Sequence, residues 1–170
     1  PSLTLKAICD YLRVDPGKVF VEPGKAITLK NVRQPGSSIP KNIVIPVDRN
    51  CNMRINFIGS WERMKHYNFV DVYHSSNDQT ELDLWKEEMA GKIVLVAEVS
   101  TGSSDVGPVP TDRNFPLSGV HTNGIHTILT ENFLREFTIP QMMFVELILM
   151  AIILLLALRL SAVPFSFGAI

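Results

Sequence analysis

"GKIVLVAEVSTGSSDVGPVPT", Gly91 to Thr111, decides how the fold is read. Its first part, Lys92–Glu98, is nearly continuous in apolar residues, the pattern of a strand covered on both faces. A small-residue loop carrying one acid, Asp105, follows, and Pro108, Pro110 and Pro116 predict that Thr101–Leu117 stays irregular. Ser118 is then the expected N-cap of a helix over "GVHTNGIHTILTENFLRE", Gly119–Glu136. Together these predict an α/β domain with a covered, mostly parallel sheet and flanking helices.

The upstream sequence supplies the remaining elements. "SLTLKAICDYLRV" carries Leu3, Leu5, Ala7, Ile8 and Leu12 near helical spacing, ended by Asp15-Pro16-Gly17. "KVFVEPG" and "AITLKNV" alternate in polarity and are joined by Pro23-Gly24, a hairpin signature. Ile43–Val47 and Met53–Ile58 read as two more strands around a turn at Asp48–Asn52. "NFVDVYHSS" and "TELDLWKEEMAG" read as helices, the second closed by Gly91 at the C′ position.

Composition excludes several classes. A formal charge of −1 and a pI near 6.5 leave no basic footprint for nucleic acid. Charge is nevertheless uneven, because from Phe137 to Ile170 only Glu146 and Arg159 are charged. "MMFVELILMAIILLLAL", Met142–Leu158, reads as a transmembrane helix with one charge, Glu146, near enough to its start to reach the interface, and Leu147–Leu158 is apolar on every face. After Arg159, "LSAVPFSFGAI" reads as a turn and the start of a second hydrophobic span. The expected organisation is therefore a soluble domain over 1–138, a transmembrane helix over 139–160, and a turn with a further span over 161–170. The first residue is Pro1 and the last span stops at Ile170, so both ends are expected to lie inside a longer protein.

Phosphate chemistry finds no support. There is no GxGxxG and no GxxxxGK[ST], and the helix that should face a phosphate starts more than a dozen residues late. No cofactor and no metal are expected. Cys9 and Cys51 match no zinc or redox spacing and are either small buried hydrophobes or a disulfide in an oxidising compartment. His121 and His126 lie roughly 140° apart around a helix, too far to share one metal. His121 shares its face with Ile125 and Ile128, as a hydrogen-bonded core histidine would. Asn123, His126, Thr127 and Thr130 share the other face and are expected to be solvated. Ser103, Ser104, Asp105 and His121 permit a hydrolase, without the GxSxG elbow. Asp105, at the carboxyl end of a covered strand, sits where open α/β sheets form binding crevices. Trp61 and Trp85 read as packing residues.

"GKIVLVAEVSTGSSD", "VPT" and "GVHTNGIHTILTENFLR", followed by an apolar span, resemble the second family of CHASE domains, the cyclases/histidine-kinases-associated sensory extracellular domains. Gly91, Lys92, Gly102, Asp105, Pro110, Thr111, Gly119, Val120, His121 and Asn123 match in order, and Arg54–Gly59 and Phe69–Tyr73 resemble its preceding strand and short helix. Glu98, Val99, Thr122 and Ser103-Ser104 depart from the usual small residues. The resemblance implies a bacterial extracytoplasmic sensor in the inner or plasma membrane, with residues 1–138 outside. It would pass a stimulus through membrane helices to a nucleotide cyclase or kinase that this chain does not contain. A small ligand or signal, membrane lipid and a second copy in a homodimer are the partners implied, and nucleic acid is not. Thr101, Asp105, Thr111, His121 and Asn123 are the candidate ligand-binding residues. A membrane-anchored hydrolase using residues 103–121 and a non-sensing dimerisation module are the alternatives.

Overall fold

Local chemistry sets the first elements. The computed structural model of the chain describes residues 2–37, 39–99, 105–135, 137 and 139–159, in two units, Pro1–Leu134 and Arg135–Ile170. In the first unit, helix α1 (Leu3–Tyr11) starts where the Ser2 hydroxyl accepts the Leu5 N–H at 3.3 Å. It stops with Arg13 in the left-handed region, φ 51°, while the Val14 N–H reaches back to the Cys9 carbonyl and the Arg13 N–H to Asp10. Strands β1 (Val19–Glu22) and β2 (Ala26–Val32) form the expected hairpin, with Gly24 at φ 77° supplying the turn that Pro23 initiates.

Strand β3 (Lys41–Pro46) pairs antiparallel with β2, giving a three-stranded sheet in the order β1-β2-β3. The register shifts between Leu29 and Val32, where Asn31 turns left-handed at φ 56° and donates its N–H to Asn42 Oδ1. This bulge carries Val32 back to the face of Ile27 and Leu29. Those three, with Ile43, Ile45 and Val47, pack against Ile8 and Leu12 of α1 and against Ile125 and Ile128 of helix α4 (Leu117–Thr130). The core is thus one sheet face covered by two helices. They approach closely at Gly124, where a Cβ would stand 3.1 Å from Thr4 Cγ2.

Helices α2 (Phe69–His74) and α3 (Gln79–Met89) form as the periodicity predicts, capped by Asn68 and Asp78, with Gly91 at φ 67° beyond the end of α3. Strands β4 (Val106–Val109) and β5 (Asp112–Pro116) make a second, two-stranded antiparallel sheet. The second unit contains helix α5 (Ile139–Arg159), 21 residues with a mean hydropathy of 2.5. At 1.5 Å per residue this is about 30 Å, long and apolar enough to cross a membrane.

Four expectations are corrected. The sheets are small and antiparallel, not mostly parallel: Lys92–Glu98 joins no ladder among the described residues, and Val94 and Val96 are 52% and 73% exposed. Composition reports how apolar a segment is, but nothing in it supplies the neighbouring strand. Met53–Ile58 is likewise unpaired, because side chains of α4 take its backbone hydrogen bonds. The described part of the proline-rich loop, 106–116, is a hairpin; its ladder shifts register beside Pro108, which has no N–H to contribute. Finally, α4 starts at Leu117, before the expected Ser118 cap, because the Asp105 carbonyl takes the Leu117 N–H at 2.9 Å. It also ends earlier, at Thr130, where Glu131 turns left-handed at φ 55° and pairs with Lys41.

Asn123 and Thr127 are fully buried, not solvated, whereas His126 and Thr130 are exposed. Asn123 Oδ1 accepts the Ile58 N–H at 3.1 Å, and Thr127 Oγ1 accepts the Asn56 N–H at 3.1 Å while donating to the Asn123 carbonyl at 2.8 Å. Thr127→Val keeps the shape and strands a partly buried N–H. It is expected to lower stability by about 1–3 kcal/mol, read as the denaturation midpoint of the full chain in detergent. Thr130→Val, at an exposed hydroxyl, should change it by less than about 0.5 kcal/mol.

Candidate functional site

The segment that Asn123 and Thr127 hold leads into an aromatic cluster. Phe115, fully buried, meets Phe57 and Trp61 edge-on, at 5.8 and 5.9 Å between ring centroids. Gly119 makes room for it, since a Cβ there would lie 2.6 Å from Phe115 Cε1. The turn of the β4–β5 hairpin clamps the same segment: Thr111 Oγ1 donates to the Gly59 carbonyl at 2.9 Å, and Asp112 Oδ2 accepts the Trp61 N–H at 3.4 Å. His66 stacks on Trp61 at 5.0 Å, its Nδ1 2.7 Å from the Met64 carbonyl.

Beside this cluster lies a cleft of about 720 Å³ within the first unit. Trp61 and His66–Phe69 form one wall, and Val94, Val96 and the rest of Lys92–Ala97 form another. Ser118, Gly119 and Thr122, in the first turns of α4, also line it. The apolar run that reads as a buried strand is therefore a cleft wall. Its charged lining residues, Lys65, Glu88 and Lys92, form one cluster. Glu88 Oε1 bridges Lys65 Nζ at 2.7 Å and Lys92 Nζ at 2.5 Å. Hydrogen bonds from Lys65, Lys92 and Tyr67 hold the Glu88 carboxyl down to about 2, and the same contact with Glu88 raises the Lys65 ammonium. Two cations on one carboxylate leave a net positive charge in the lining of a mostly apolar cleft.

None of the described candidate ligand-binding residues lines this cleft. Asp105 is exposed and holds the start of α4 through its carbonyl. Thr111 belongs to the clamping turn. His121 is half-buried, with Nδ1 3.1 Å from Thr4 Oγ1, tying α4 to α1. Asn123 is committed to the Ile58 backbone and, through Nδ2, to the Gly119 carbonyl at 2.9 Å. Thr101 lies outside the described residues, as do Ser103, Ser104 and the second apolar span. Asp105, Thr111 and Asn123 are brought to the elements that shape the cleft, but not into it. The lining residues of the Trp61–Phe69 stretch have no motif spacing, and only the aromatic density of that stretch signals them. Trp61 packs as expected, and Trp85 meets Tyr67 edge-on at 4.9 Å. Cys9 and Cys51 are free thiols, and burial pushes the Cys9 thiol up. Among the described residues no group of three His, Cys, Asp or Glu side chains is arranged to hold a metal ion.

The family profile of the CHASE2 domain matches residues 1–158. Comparison with curated proteins and with solved structures finds no match.

The Glu88 bridge gives a signed pH dependence. Its carboxyl is depressed from 4.5 to about 2 in the folded chain, so the stability it contributes is complete above 4.5 and is lost as pH falls toward 2. Urea midpoints of the full chain should therefore fall more steeply between about pH 5 and pH 3 than those of Glu88→Gln.

Proposed function

The chain belongs to the CHASE2 domain family, whose members are extracellular, non-catalytic sensory domains, and from that premise we propose that residues 1–138 form the extracytoplasmic sensor of a bacterial membrane signalling protein. The observation that carries the reading is the cleft beside Trp61. Its volume falls in the range of small-molecule sites, and it combines an apolar wall with a few polar and charged groups. The ligand class this favours is a small apolar molecule with one anionic end, the body against Val94, Val96 and Trp61, the charge toward Lys65 and Lys92.

In this reading α5 spans the bilayer, and the parent protein is a homodimer whose output, a nucleotide cyclase or kinase, lies on the cytoplasmic side. A ligand in the cleft touches the first turns of α4 and biases the position of that helix. Only 131–138 separate α4 from α5 in the chain. The hairpin residues Asp105 and Thr111 act here by holding the start of α4 and the Gly59–Trp61 segment that border the ligand. Coupling requires that the ligand bind two arrangements of α4 with different affinity.

Two measurements test the proposal. In a Cys9→Ser, Cys51→Ser background, Ser37→Cys should react with a membrane-impermeant maleimide in intact cells. Protection in intact cells, with labelling only after lysis, would reverse the assigned side. Anilinonaphthalene sulfonate has the apolar body and anionic end of the proposed class. In a Trp85→Phe background it should quench Trp61 by energy transfer in the full chain, and Thr122→Phe, which fills the cleft, should abolish that transfer. Transfer unchanged by Thr122→Phe would place the probe elsewhere and remove the cleft from the sensor.

A further inference from the structure

A second concavity, of about 760 Å³, opens in the first unit where α1 ends and the β2 bulge begins. Three cations line it, Arg13, Lys18 and Arg33, together with the side-chain amides of Asn31 and Gln34. No acidic residue is in its lining. The nearest acids in sequence are already engaged: Asp10 pairs with Lys6, and Asp15 Oδ1 accepts the Gly17 N–H at 2.9 Å. None of the three cationic side chains has a carboxylate partner among the described residues. All three side chains are exposed, so water screens their mutual repulsion. The concavity is left with a net positive lining and no carboxylate in it, the electrostatic footprint of an anion site.

Four described non-glycine residues have positive φ, and two of them, Arg13 and Asn31, line this one cleft. A glycine at the end of α1 would satisfy the helix-terminating hydrogen bonds without strain. An arginine there accepts the strain and projects a guanidinium. The partial negative charge at the end of α1 accounts for one nearby cation, not three.

We propose that this cleft binds a phosphate-bearing ligand, its oxygens held by Arg13 and Arg33 as forked donors and by Lys18 as a point charge. The site is separate from the cleft beside Trp61 and does not rest on the ligand proposed there. Two sources share this chemistry, a soluble phosphate ester and the headgroup of an anionic phospholipid.

The test uses the full chain in phosphatidylcholine nanodiscs, titrated calorimetrically with inorganic pyrophosphate at physiological salt. Saturable binding is expected, weakened about tenfold or more by Arg33→Gln and abolished by Arg13→Gln with Arg33→Gln. Gln matches Arg in its tolerance of the left-handed region, so circular dichroism of the variants should be unchanged. Repeating the titration in nanodiscs containing phosphatidylglycerol separates the sources: undiminished binding assigns a soluble ligand, and competitive loss assigns a lipid headgroup. Absence of saturable binding in phosphatidylcholine, or binding that persists in the folded double variant, overturns the proposal.

Discussion

The first unit depends on a substitution of side chains for a strand. Asn123 and Thr127, four residues apart on α4, take the N–H groups of Ile58 and Asn56, two residues apart on an extended segment. The match is geometric. Four residues of helix rise about 6.0 Å, and two residues of extended chain advance about 6.6 Å. Alternate backbone donors of the segment therefore meet successive turns of one helix face. A helix with aliphatic residues at both positions would leave those partly buried donors unpaired, at a cost in stability. The segment so held carries Phe57 and leads through Gly59 into Trp61, and so places the aromatic wall of the cleft.

Elements defined by their own residues were legible in the sequence. The apolar spacing from Leu3 to Leu12 marks α1, Pro23-Gly24 marks the hairpin, Asp48 marks the turn to Asn52, and the uncharged run marks α5. Each rests on a local cap, turn or periodicity. Pairing between distant segments was not legible. Lys92–Glu98 has the composition of a central strand, but composition cannot say whether neighbours hydrogen-bond to it, and the segment lies open along a cleft. The prolines of 106–116 were read as loop-forming because they cannot donate. A two-stranded ladder with a register shift leaves room for a residue with no donor.

The site was less legible still, for a related reason. Asn123 and Thr127 look like the wet face of an amphipathic helix, because polarity in a sequence is taken as contact with water. Here their partner is a backbone, which has no sequence signature at all. The cleft draws its lining from three separate stretches of the chain, none with a spacing that chemistry dictates. Gly119 was singled out by the family resemblance, and its physical role became visible only beside Phe115. The left-handed backbone at Arg13 and Asn31 was equally hidden, since neither residue announces a positive φ as glycine would.

Helix α4 is where these observations converge. Its first turns, through Ser118, Gly119 and Thr122, border the cleft beside Trp61. Its last turn offers the Leu129 carbonyl to Gln34 Nε2 at 3.4 Å, and Gln34 lines the basic cleft. The helix is held along its length by Thr4, by the 56–58 backbone and by Lys41 against Glu131. An element tied at many points moves as a unit or not at all, because a small displacement breaks several hydrogen bonds together. If ligands at both clefts discriminate between two positions of α4, each must change the other's affinity by the same factor. The physical requirement on a sensor of this design is therefore not a long conformational path. In the reading proposed above, it is one helix whose first turns border an apolar cleft and whose last turn borders a basic one.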